Sequence, residues 1–339
     1  MKLKKQLMEF YKEIRISEEA DSLREKREIL EGEIKDKLPA KCEEHGIKLN
    51  KSNIRMFIQG SYKYKTTIVS DVVDMDVAMM IPLDIVKNDD SRKIKKYLKE
   101  AITIPQRTVS IKEPCVRASY FESNEEWMHI DLPIYADVDG DVYLARGKEN
   151  GSYCWEPSDP DGLNDYLCEL INGNDQLRRI ICFMKKWRNE KYNNSSSDHS
   201  IPPSIGLTLL ACEKFVQCKT DEGDDDLLAL QKTMKAIKDS FSVTYDTNGN
   251  VKSADIVMVL PVKPYTDVFS KMRDSSASYI LSFYNKLIVA IDNLTNAINV
   301  SSEHDAAIYV QNVLGDQFKV PEKKAISASV QTKKEHNFG

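Results

Sequence analysis

Apolar residues recur at helical spacing over the first part of the chain. Leu7, Phe10, Tyr11 and Ile14 share one face, as do Leu30, Ile34 and Leu38, and charged residues fill the others. The spacing predicts one long helix over residues 2–45, which must pack along the body or bridge two lobes to bury its stripe. The period then shortens. Ile54–Gln59 (IRMFIQ) predicts a strand ending at Gly60-Ser61, and Met75–Ile81 (MDVAMMI) an apolar strand that is acidic at its start. Lys93–Ile102 has a helical pattern. Arg107–Tyr120, Trp127–Tyr135 and Asp141–Ala145 predict further strands, the last opened by the Asp139-Gly140 turn. From Pro160 onward the texture is helical. Leu177–Tyr192 is amphipathic, a helix should start at Pro203-Ser204 and run to about Cys218, and Tyr279–Ile298 is long and helical. Between these lie a polar loop at Asn193–Asp198 and an acidic stretch, Asp221–Asp226, expected to be a solvated loop.

This order of elements gives an α+β chain in four parts: a long N-terminal helix (1–50), a β-rich core with a mixed sheet (51–158), a helical C-terminal lobe (159–320) and a polar, mobile tail (321–339). The crevice between the two lobes is the default ligand site.

Bulk properties narrow the field. The 339 residues exceed one small core, and 41% hydrophobic with 30% charged residues is an ordinary globular balance. The net charge of −5 supplies no general field toward nucleic acid or anionic lipid. No run of about 18 apolar residues exists, so no membrane partner is expected and a cytoplasmic location is the default. Cysteines at 42, 115, 154, 168, 182, 212 and 218 form no C-x-x-C pair, which argues against a disulfide framework or a structural zinc site.

The chemistry is concentrated between residues 60 and 131. Gly60-Ser61-Tyr62 follows a strand, Thr66-Thr67 comes next, and then Asp74-Met75-Asp76. Gly60 lets backbone approach a phosphate, helix-start N–H groups favour an anion, and the Ser61 hydroxyl can donate to a phosphate oxygen. Asp74 and Asp76 lie two apart on a strand and therefore share a face, where two carboxylates repel unless a divalent cation lies between them. All-oxygen ligation implies Mg2+ or Mn2+. Asp131, in the apolar strand context His129-Ile130-Asp131-Leu132-Pro133, supplies a third carboxylate. Three converging carboxylates suffice for two ions, one gripping a triphosphate and one activating an acceptor hydroxyl. Asp71, Asp84 and Asp137 are expected at turns or on the surface, and His129 in a packing role, facing the same way as Asp131 only if the strand is irregular.

GSYKYKT, DMDVAMMIP and HIDLPIYAD together resemble the bacterial cGAS/DncV-like nucleotidyltransferases (CD-NTases), the cyclic-oligonucleotide synthases of the anti-phage system CBASS, within the DNA polymerase beta superfamily. Arg179–Arg188 is similar to the family's Lys-x-Trp helix. Pro203–Thr208 and Val313–Asp316 are also family-like, so the resemblance runs from about residue 55 to 320. It implies a polymerase-beta-like lobe and a helical lobe with the active site between them. It further implies Asp74, Asp76 and Asp131 as ligands of two ions, and Gly60 and Ser61 as holders of the donor triphosphate. Lys185 and Ser204 would add a phosphate grip from the helical lobe. Lys186 adjoins Lys185, and either lysine can be the one that turns inward. Ser204 can be a phosphate ligand, a helix N-cap, or both. Many members have Gly where this chain has Lys65.

The implied reaction joins ribonucleoside triphosphates into a cyclic di- or trinucleotide, with pyrophosphate released and a product-activated effector protein downstream. No clustered Cys/His insertion is present, so no DNA activator is expected. The terminal Gly339 suits conjugation by a ubiquitin-ligase-like partner of the kind that modifies some CBASS synthases. The competing readings are a nucleotidyltransferase acting on tRNA or a protein, and a silent nucleotide-binding scaffold.

Overall fold

The computed structural model describes residues 2–16, 21–69, 72–195 and 197–323; Asp71, the residues after Lys323 and hence Gly339 lie outside them. The predicted N-terminal helix is two helices, α1 (Lys4–Ile14) and α2 (Asp21–Glu43). Past Ile14 the backbone leaves the helix to pair with another segment: Ile16 N–H donates to Thr67 O, and Val69 N–H to Ile14 O. The two helices serve different cores. Leu7, Phe10, Tyr11 and Ile14 of α1 join the helical half of the molecule, whereas Leu30, Ile34 and Leu38 of α2 pack on the sheet.

The sheet elements follow as β1 (Arg55–Gln59), the short α3 (Gly60–Lys63), β2 (Val73–Pro82), α4 (Ser91–Ile102), β3 (Arg107–Ile111), β4 (Val116–Glu122), β5 (Glu125–Leu132), β6 (Ile134–Val138), β7 (Asp141–Gly147) and β8 (Tyr153–Pro157). They form one mixed eight-stranded sheet centred on β2, which pairs antiparallel with β1 and parallel with both β5 and β6. Strands β5 and β6 are one line of chain, Trp127–Tyr135 at its heart, interrupted where Pro133 has no N–H to give; the Pro133 carbonyl still accepts from Met79 N–H. The stretch Arg107–Tyr120 is not one strand but a hairpin, turned around Pro114. Strand β8 and the later pairs have too little alternation to be seen in sequence.

Period-two alternation along β2 decides the architecture. Met75, Val77, Met79 and Ile81 are buried beneath α2 and α4. Ala78 and Met80 form a separate small cluster with Tyr135 and Leu144 on the other face, and Asp74 and Asp76 share that face.

The chain continues through α5 (Pro160–Ile171), α6 (Asp175–Tyr192), α7 (Ser204–Lys214), the short strands β9 (Lys219–Thr220) and β10 (Gly223–Asp224), α8 (Asp226–Asp239), the hairpin β11 (Ser242–Tyr245) and β12 (Val251–Asp255), α9 (Ser270–Ser275), α10 (Ala277–Asn299) and α11 (Glu303–Leu314). These helices bury one extended core around Trp187, Phe183, Phe269 and Phe283. The expectation of a solvated acidic loop at Asp221–Asp226 fails at its end. Asp226 is buried and opens α8, where it accepts from Arg179 (2.9 Å to one oxygen) and from Gln176 at 3.2 Å, while Asp224 accepts from Arg179 at 2.8 Å. A buried carboxylate with a guanidinium partner leaves an uncompensated charge when either is removed. Asp226→Ala should therefore lower the unfolding free energy by about 3–5 kcal/mol, read from urea denaturation midpoints.

Candidate active site

The site is assembled on the acidic face of β2 by strand register. Asp76 pairs with Asp131 and Asp74 with His129 across the parallel β2–β5 ladder. The antiparallel β4–β5 ladder sets Arg117 opposite Asp131. Arg117 grips Asp131 with both arms, Nε to Oδ1 and Nη2 to Oδ2 at 2.7 Å each. That bond outweighs burial, which acts the other way, and raises the Arg117 pKa, so the guanidinium stays charged.

His129 is part of this cluster and not only packing. Residues 129 and 131 lie two apart, so a regular strand already points both side chains the same way. Nε2 of His129 stands 3.0 Å from Asp74 Oδ1, and Nδ1 stands 3.0 Å from Glu126 Oε1. Burial disfavours the imidazolium, but the hydrogen bond and charge of Asp74 outweigh it and the pKa is raised. Burial first, then Asp74 and Asp131, pushes the Asp76 carboxyl up to about 8.

Gly60 is tied to this cluster sterically. Its φ is +68°, and a Cβ there would lie 2.5 Å from Asp76 Oδ2, so glycine is required both by the left-handed backbone and by the carboxylate. Ser61 follows in α3, with its hydroxyl 3.0 Å from that of Thr67. The loop beyond closes on itself through Thr66 N–H to Ser61 O at 2.9 Å, and Lys65 adopts φ +57° to make the turn.

The helical half reaches this loop through α6. Lys185, not Lys186, is the inward lysine: its ammonium donates to Thr66 O at 3.0 Å and Thr66 Oγ1 at 3.2 Å. Burial lowers its pKa to about 8. Lys186 turns away to Gln317 at 2.8 Å and to Glu190. Ser204 is the first residue of α7, with Pro203 in the N-cap position, so it does not cap the helix. No hydrogen bond joins its hydroxyl to the carboxylates. A cavity of about 490 Å3 opens beside Gly60, lined from the sheet by Gln59, Tyr135 and Arg146 and from the helices by Asn164, Ile205 and Lys271. Tyr64 closes one wall by donating to Asn164 at 2.9 Å.

The donor set fits a hard divalent ion. Ligand atoms of Asp74, His129 and Asp131 all lie within 4.8 Å of one another, and Asp76 adjoins them through its pairing with Asp131. Each carboxylate oxygen has two lone pairs, so Asp131 can accept from Arg117 and still ligate. Arg117 carries no sequence signal for the site, because its side depends on where the β3–β4 hairpin turns. With the turn placed, burial of Val116, Ala118 and Tyr120 puts Arg117 on the acidic face. Asp84 precedes a turn and accepts from Val86 N–H, whereas Asp137 lies near the end of β6 and its side chain accepts from Gly140 N–H in the turn that follows.

Residues 54–135 match the family model of the cyclic GMP-AMP synthase DncV-like nucleotidyltransferase domain. That segment carries Gly60, Asp74, Asp76 and Asp131. No curated protein matches the sequence. Among solved structures, the fold is similar to Vibrio cholerae DncV cyclic AMP-GMP synthase in complex with the linear intermediate pppA(3',5')pG. The TM-score is 0.70 at 16% identity, over 94% of this chain and 96% of that one. The same synthase with nonhydrolyzable GTP gives 0.67 at 16% identity, over 94% and 97%. Escherichia coli DncV bound to 3'-deoxy GTP gives 0.64 at 15%, over 90% and 93%.

Two outcomes follow from the local geometry. Below about pH 4 Asp76 is protonated in the folded and unfolded chain alike. Above that the unfolded chain ionises from its ordinary value of 3.8 while the folded one holds its proton to about 8. Metal-free protein should therefore lose stability as pH rises through this window. Asp76→Asn should remove the slope and be more stable by on the order of 2 kcal/mol at pH 8, measured by denaturant melts in chelator. Lys65→Gly should stabilise the chain by about 0.5–1 kcal/mol by relieving the left-handed backbone; an unchanged melting midpoint would show that no strain is held there.

Proposed function

We propose that this chain, through its DncV-like nucleotidyltransferase domain, joins ribonucleoside triphosphates into a cyclic di- or trinucleotide with release of pyrophosphate. The observation that carries the proposal is the register that sets Asp76 beside Asp131, with Gly60 packed against the Asp76 carboxylate. Asp74, Asp76 and Asp131 are the proposed ligands of two Mg2+ or Mn2+ ions. Bound there, the ions would offset triphosphate charge, lower the pKa of the acceptor hydroxyl and stabilise the in-line transition state.

The chain's own groups do the rest. Gly60 gives backbone access to the donor phosphates, and Ser61 donates its hydroxyl to them. Lys185, already turned into the loop at Thr66, supplies positive charge from the helical side. Ser204 takes a phosphate contact at the start of α7. Arg117 keeps Asp131 in place. The acceptor hydroxyl attacks the α-phosphorus, its proton passes to solvent, and the bond to pyrophosphate breaks. A linear dinucleotide would form first and then be turned and closed. The Vibrio synthase's complex with a linear intermediate supports such a two-stage route.

The proposal extends to setting. No helix among the described residues is long and apolar enough to cross a membrane. A cytoplasmic role in anti-phage signalling, with a product-activated effector and without a DNA activator, accords with the family resemblance.

Incubation with all four ribonucleoside triphosphates and Mg2+ or Mn2+, then phosphatase and mass spectrometry, tests the reaction. A phosphatase-resistant cyclic product is expected, and Asp74→Ala and Asp76→Ala should each reduce it below about 1% of wild type while remaining folded. Label appearing only on a macromolecule would replace the synthase reading with a modifying transferase.

A further inference from the structure

Each of the three acids is held differently, and the hold on Asp74 is the least expected. Asp131 is gripped by Arg117 and Asp76 is walled by Gly60. Asp74 stands at the mouth, its side chain 57% exposed, at a position where free rotation would cost ligand geometry. What touches it is His129, itself only 11% exposed. The far side of that ring meets Glu126, three residues back on β5, at 3.0 Å. A carboxylate oxygen thus stands against each ring nitrogen. The ring is thus fixed at two points, and it offers Asp74 one rigid donor.

We propose that Glu126 and His129 form a positioning relay that sets the orientation of Asp74 for the ion. Nε2–H of His129 occupies Asp74 Oδ1, leaving Oδ2 and the remaining lone pair of Oδ1 free to ligate. Glu126 acts one step further out by fixing the ring plane. His129 is then a positioning residue and not a ligand, since both ring nitrogens are spent on carboxylates. The inference rests on the metal-site reading of Asp74, and it assigns a role to two residues outside the acid triad.

The test is titration of the full chain with Mn2+ alone, without nucleotide, following loss of the free-ion electron paramagnetic resonance signal. His129→Ala should bind Mn2+ about 10-fold more weakly. His129→Gln, whose amide N–H can stand where Nε2–H stood, should recover most of the loss. Glu126→Ala should weaken binding by a smaller factor. Each variant's unfolding midpoint in chelator separates a folding defect from a binding one. Binding by His129→Ala within twofold of wild type would overturn the proposal, as would a folded His129→Gln no better than His129→Ala. Nitrogen hyperfine coupling on Mn2+ in the wild type would also overturn it, by making the ring a ligand. A wild type that binds no Mn2+ would instead remove the metal site itself, and the relay with it.

Discussion

Carboxylates of like charge meet on one face of a parallel strand pair, and the rest of the site is arranged around their repulsion. The two-residue period of β2 commits Met75, Val77, Met79 and Ile81 to the core and thereby commits Asp74 and Asp76 to the cleft. The same period on β5 does this for His129 and Asp131. A slip of one residue in either strand would drive acids into the apolar layer beneath α2 and α4, so core burial is what enforces the convergence. Positive groups then approach from three directions: Arg117 along the sheet, His129 across the ladder, and Lys185 from the helical side.

Lys185 also explains how the helical half takes part. It does not reach the carboxylates directly. It holds the carbonyl and hydroxyl of Thr66, in the loop that follows Gly60-Ser61, and Tyr64 in that loop donates to Asn164 of α5. The loop after Gly60-Ser61 is therefore shared between the two halves, and a change in their relative position would be felt there first. Salt bridges at the rim, Lys263 with Asp141 and Lys271 with Glu113, are exposed and contribute little to holding the halves together.

Much of this was legible in the residues alone. The acid triad follows from D-x-D and a lone acid in an apolar strand, because period two is a strong local rule. The α+β class followed from the switch between periods. What escaped depended on pairing between distant segments. Arg117 becomes part of the site only through a hairpin at Pro114, and the contact of His129 with Asp74 only through the register of β2 and β5. Asp226 looked solvated within an acidic run because its partner, Arg179, lies 47 residues away. The break between α1 and α2 is likewise made from afar, by the backbone of residues 67–69. The left-handed backbone at Lys65, where many members of the resembling family have Gly, is likewise visible only in the folded chain.

The placement of α1 has a consequence for how the molecule is made. Phe10 rests against Phe183 and Phe318, with ring centres 6.2 and 5.3 Å apart, and Lys2 reaches the carbonyl of Ala297. Helix α1 is thus completed by residues that follow it far along the chain. Helix α2 and the sheet can settle on their own core in the meantime, but the apolar face of α1 stays uncovered until α6 and α8, and then Phe318, are in place. Vectorial synthesis delivers the mixed sheet before the helical half. Closing these distant segments on each other is then the step that joins α1 to its core.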